Sequence, residues 1–265
     1  MMSVKTFLLA ATATASLALA APLAAQSIGT VASSEPTMRG TPPGAAPRAL
    51  ALGTGVVQDE RIATSGNGRG QILFVDQTTL SIAPNTSIVL DRFVFNPDGT
   101  GQIGLQMTEG ALRFIGGTLS QGQEATVSTP TATIGIRGSS ALIIHAGGET
   151  ITVFLAGERL CLTASSGQRA CTSRAGGVLT EDGYIGRVNP AFLAQVLSLI
   201  DGIPRGGGGA PLGTGVGDPN PSDRGPVSTT GEEFDPDLFD DDFTWDDLIE
   251  WLPRNPNVTV PCTGC

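Results

Sequence analysis

The chain has 265 residues, of which 36 are glycine and 18 proline, with aromatic residues at 5% and charged residues at 15%. Such a composition suits turns, thin β-layers and linkers rather than a large helical core, and the length allows one or two domains. The formal net charge of -10 argues against an electrostatic grip on nucleic acid or on anionic lipid.

Residues 1–25 carry one cation, Lys5, then an Ala/Leu run from Phe7. Small residues follow at Ala18-Leu19-Ala20 and Ala24-Ala25. This is the layout of a secretory signal peptide. The run is rich in Ala and Thr, is broken by Pro22, and lacks the apolar stretch of about 20 residues that a membrane anchor needs. No later segment could span a bilayer as a helix, so the expected product is periplasmic or secreted, with no stable membrane span after cleavage. Residues 26–48 are small, polar and proline-bearing (Pro36, Pro42, Pro43, Pro47), which predicts a linker.

From Ala49 the pattern changes to short runs of Val, Ile, Leu, Phe and Thr separated by turn signals. The predicted strands include 71–75, 79–82, 87–90, 103–107, 111–115, 141–144, 150–155 and 159–162. Asn67-Gly68, Pro84-Asn85, Pro97-Asp98-Gly99, Gly116-Gly117 and Gly147-Gly148 punctuate them. Many short strands at this spacing define an all-β domain over 49–188. A weak internal repeat relates residues 104–114 to 152–162: in each, a strand meets one glycine (Gly110, Gly157) and continues. The repeat favours solenoid-like stacking over a sandwich-like arrangement, although period-2 patterning alone cannot choose between them. The stretch Val127–Ser140 joins β-branched residues to Pro130, Gly135, Arg137 and Gly138. It predicts a tight junction between β-layers, with Arg137 satisfying backbone carbonyls or a carboxylate.

Asn189-Pro190 opens a helical pattern over 189–201, with Phe192, Leu193, Val196, Leu197 and Ile200 on one face. Its expected role is to cover an end or face of the β-domain. Residues 202–231 are Gly/Pro-rich and read as a flexible linker. Residues 232–265 form an acidic-aromatic tail ending in a CxxC pair. About half of the carboxylates lie beyond residue 200.

The candidate chemistry is sparse. Cys161 and Cys171 sit on a predicted strand-turn-strand that can oppose them, so in an oxidising compartment they predict a disulfide. Cys262 and Cys265 have redox spacing but no following helix to lower a thiol pKa, which favours a small terminal disulfide over an oxidoreductase site. His145 is the only histidine, and no Ser sits in a Gly-x-Ser-x-Gly elbow, so the residue reads as structural. Asp235, Asp237 and Asp240–Asp242 lack the glycine and terminal Glu of a calcium loop. The acidic segment therefore has two readings: a solvated, disordered arm, or a partner-binding segment. For the second, Phe239, Phe243, Trp245, Leu248 and Trp251 supply interface anchors. No cofactor, metal or catalytic set is predicted.

Several stretches together resemble the FecR domain of bacterial periplasmic proteins. They are Gln58–Ile62, Arg69–Asp76, Thr79–Thr86, Leu90–Pro97, Gly110–Phe114 and Thr129–Gly138, in order over about 55–165. The resemblance implies an all-β, non-catalytic, extracytoplasmic domain. Namesake members are membrane-spanning regulators that couple an outer-membrane receptor to a cytoplasmic sigma factor in iron uptake. Here only about six residues precede the apolar N-terminal run, too few for a sigma-binding domain. The expected function is a non-enzymatic binding or scaffolding module for an envelope or periplasmic protein. The alternative is an accessory component of a cell-surface signalling or iron-uptake route.

Overall fold

β-Branched and aromatic residues alternating with small polar ones give this chain its strands. The computed structural model describes residues 26–35, 38–201 and 259–260. The first strands are β1 (Ser27–Glu35), β2 (Met38–Thr41), β3 (Arg48–Ala49), β4 (Gly55–Val57) and β5 (Arg61–Thr64). Next come β6 (Arg69–Phe74), β7 (Thr79–Ile82), β8 (Ser87–Phe95) and the long β9 (Gly101–Ile115). A single-turn helix α1 (Thr118–Gly122) leads to β10 (Ala125–Ser128), β11 (Ala132–Arg137) and β12 (Ser140–Ala146). Then follow β13 (Glu149–Ala156), β14 (Arg159–Ala164), β15 (Arg169–Thr172), β16 (Gly177–Thr180) and β17 (Gly183–Val188). Helix α2 (Pro190–Asp201) and the two-residue β18 (Thr259–Val260) complete the described elements.

The strands pair into two sheets that share β9. Sheet A runs β4-β1-β6-β7-β9-β12-β13-β16-β17-β18. Sheet B runs β3-β2-β5-β8-β9-β10-β11-β14-β15. The first part of β9 pairs with β8 and β10 in sheet B; the part after Gly110 pairs with β7 and β12 in sheet A. The switch occurs at Gly110, whose φ of 99° places it where a side chain would run into Thr86. A second crossing is made by a long two-stranded ribbon. Residues 140–146 pair with 149–156 in sheet A, and 132–137 pair with 159–164 in sheet B. The ribbon bends between the sheets at Gly138 (φ 53°) and Gly157 (φ 116°). Only glycine accepts these conformations without strain.

Side-chain alternation then sorts the apolar residues into two layers. Ile62, Ile88 and Leu162 of sheet B share one core with Ile72, Phe114 and Phe154 of sheet A, so the two sheets pack on each other. The other face of sheet A presents Ala111, Leu142, Ile144, Val153, Leu155 and Val178 to Val196 and Ile200 of α2. Burying each of the Val, Leu and Ile side chains contributes roughly 1.5–3 kcal/mol.

The all-β expectation holds, and of its two forms the paired sheets are sandwich-like, not solenoid-like. The weak repeat has a geometric origin: Gly110 and Gly157 are both points where a strand leaves one sheet for the other. The segments 103–107 and 111–115 are one bent strand, because Gly110 turns the chain without ending the ladder. The expected linker over 26–48 is corrected. Its small residues form β1 and β2, with Ile28, Val31 and Met38 buried in the core, so turn-rich composition hid a strand pair. Helix α2 lies where the pattern placed it, over a sheet face.

Candidate functional site

The junction Arg137-Gly138-Ser139 is positioned by the ribbon. Gly138 N–H donates to Ser120 O at 2.6 Å, and a Cβ on Gly157 would fall on Gly138 O. The Arg137 guanidinium lies 3.3 Å from the Glu158 carboxylate, the partner type expected for it. Both side chains are substantially exposed, so this pair contributes at most about 1 kcal/mol. Gly135 of the same stretch sits under the Glu124 carboxylate, which would have to move aside for a larger residue.

Cys161 on β14 faces Cys171 on β15 in direct register, and the two form a disulfide with Cα atoms 4.0 Å apart. The predicted hairpin is thus the observed one, and the bond ties the last strand of sheet B to its neighbour. Cys262 and Cys265 lie outside the described residues. So do Phe239, Phe243, Trp245, Leu248 and Trp251, as well as the signal peptide and the linker over 202–231.

His145 belongs to a buried polar cluster centred on Thr150. Its Nδ1 is 3.0 Å from Thr150 Oγ1, which lies 2.8 Å from the hydroxyls of both Thr129 and Thr131. Thr131 donates to Glu181 Oε1 at 2.5 Å, and Thr150 N–H donates to the same oxygen at 2.7 Å. One consistent proton order runs from His145 Nδ1–H to Thr150, on to Thr131, and ends on the carboxylate. Burial holds the His145 pKa below its ordinary value of 6.5, with the Glu181 charge as the main opposing influence. Thr150 is fully buried, so its hydroxyl meets no substrate. The cluster joins the turns before β11 and before β17 to the start of β13, a structural task for the histidine.

Three further buried charges were not singled out from sequence. Glu60, with no exposed surface, accepts from Arg48 Nε and Nη2 at 3.0–3.2 Å and from Val57 N–H at 3.0 Å. Asp76 accepts from Thr78 N–H and Oγ1 and from Leu119 N–H, which caps the first turn of α1. The Asp-x-Thr spelling of such a turn was a usable signal. Arg113 projects from the outer face of sheet A to α2: its Nη1 donates to Asp201 Oδ2 at 2.8 Å and its Nη2 lies 2.7 Å from Oδ1. Arg69 Nη1 donates to Leu199 O at 3.3 Å. Both cations complement the negative end of the helix dipole. A lone Arg inside the apolar run Ala111–Ile115 was the sequence clue that this face is covered.

Each buried charge here finds its partner inside the fold. Among the described residues, no cluster of three or more His, Cys, Asp or Glu side chains could hold a metal ion. No described helix is long and apolar enough to cross a membrane. The architecture is that of a β-domain whose polar clusters join its own turns and whose helix α2 anchors the chain at residue 201.

Comparison with known proteins gives that architecture a family. Residues 60–158 match the family described as FecR protein, which makes that stretch of the chain a FecR domain. The match runs from the buried Glu60 to Glu158 beside the second crossing; β1–β4, β14–β18 and α2 extend the sheets and their cover beyond it. No curated protein matches the sequence. Two crystal structures of a protein provisionally described as an anti-sigma factor from Parabacteroides distasonis are similar to this chain. Identities are 13% and 14% and TM-scores 0.39 and 0.37, with 45% of this chain and 53% of those chains covered. The match therefore spans about half the length of those relatives.

Proposed function

We propose that this chain is a non-enzymatic, exported binding or scaffolding module of the bacterial periplasm or envelope. In this reading the two-sheet domain is the rigid body, and residues 232–252 dock an envelope or periplasmic protein. The observation that carries the reading is the FecR match over 60–158. The Cys161–Cys171 disulfide supports an oxidising compartment, where such bonds persist. His145, Glu60, Asp76 and Arg113 are all used within the fold, which leaves recognition to the surface and to the segment after α2. Phe239, Phe243, Trp245, Leu248 and Trp251 are the anchors, since large aromatic groups among carboxylates gain most from burial in a partner's groove.

Fractionation tests the location: the mature chain, cleaved within residues 18–26, is expected in the periplasmic or secreted fraction. Recovery of the uncleaved chain from cytoplasm would contradict it. A second reading rests on the same family match: an accessory component of a cell-surface signalling or iron-uptake route, passing its signal through a separate membrane partner. It predicts an altered sigma-dependent transcript profile in a deletion strain. An unchanged profile there, with partner binding intact, leaves scaffolding as the function.

A further inference from the structure

The outer edge of sheet A holds a small pairing that the rest of the fold does not require. β17 pairs with β16 on its inner side, and on its outer side Arg187 and Val188 pair antiparallel with Val260 and Thr259 of β18. Val188 N–H donates inward to Gly176 O at 2.8 Å. Because successive backbone groups of a strand alternate in direction, the Arg187 amide points outward, toward β18. Without β18 this edge would present unpaired N–H and C=O groups beside Ile185, which is 41% exposed. Such an edge is a template for pairing with another chain. Thr and Val are the residue types that suit an extended ladder.

From this register we infer that the outer edge of β17 is a strand-accepting site whose occupant is the chain's own segment at Thr259–Val260. The residues between, 202–258, are then tethered twice: at α2 by the Arg113–Asp201 pair and at β17 by the clasp. A two-residue ladder opens readily, and tethering keeps its strand at high local concentration so that it recloses. The clasp also fills the edge at which a second copy could add a strand. It stands whether or not residues 232–252 bind a partner.

Amide hydrogen exchange on the full chain and on a Thr259→Pro/Val260→Pro variant tests this directly, since proline cannot donate to the ladder and disfavours it. In the variant the Arg187 amide should exchange at least about fivefold faster, with the inward-bonded Val188 amide unchanged as the internal control. The mass and the exchange rates of the full chain should be independent of protein concentration. Equal Arg187 protection in both proteins would overturn the site. Protection that grows with concentration alongside a dimer mass would overturn the intramolecular clasp, with a second copy as the occupant.

Discussion

At the scale of single residues, backbone conformation decides more than side-chain chemistry does. Gly157 has φ of 116° and sits against Gly138 O, whereas Gly148 has φ of 83° and open space around its Cα. Gly157→Ala is therefore expected to cost about 3 kcal/mol or more, because strain and a backbone clash combine. Gly148→Ala should cost only about 1–2 kcal/mol. Denaturant midpoints of the two variants check the difference. Arg48→Met should cost about 2 kcal/mol by leaving the Glu60 carboxylate buried without its cation, less than for a fully buried pair because Arg48 is 39% exposed. His145 brings a pH dependence with a definite sign. Its folded pKa lies below 6.5, so between that value and 6.5 the unfolded chain binds more protons and stability falls as pH falls. His145→Gln should flatten the unfolding midpoint across that window, whereas an unchanged slope would contradict the buried neutral imidazole.

At the scale of elements, the ribbon, the β14–β15 hairpin and α2 carry separable loads. The disulfide closes a short loop with a sequence separation of 10. Replacing both cysteines with serine should cost about 2–3 kcal/mol by releasing the unfolded chain. Asp201→Asn should loosen α2 without unfolding the sheets. Its amide exchange should rise about tenfold, equivalent to about 1.4 kcal/mol of local stability, while β9 and β12 keep their protection. These elements also show what could be read from sequence. β7, the strands of the hairpin, the disulfide and α2 were legible because alternation, turn residues and the Asn-Pro start are local signals. β1 and β2 were not, because their burial depends on β5 and β6, which lie tens of residues away. Arg113 could be seen as anomalous within its strand, but its partner Asp201 is 88 residues on, and no local pattern predicts that contact.

At the scale of the whole molecule, two sheets sharing β9 form one body, and α2 hands the chain on from its outer face. The repeat-like glycines Gly110 and Gly157 read equally as a stack, and only the pairing of β9 with both sheets distinguishes a sandwich from it. The described polar clusters hold this body together, and recognition is proposed to fall to residues 232–252. The most direct test is a paired measurement on the full chain and on a Phe239→Ala/Trp245→Ala/Trp251→Ala variant: the thermal unfolding midpoint, and co-purification of an envelope protein. If that assignment holds, the midpoint is unchanged and the co-purifying protein is lost. A lowered midpoint, or a partner retained at full yield by the variant, would contradict it.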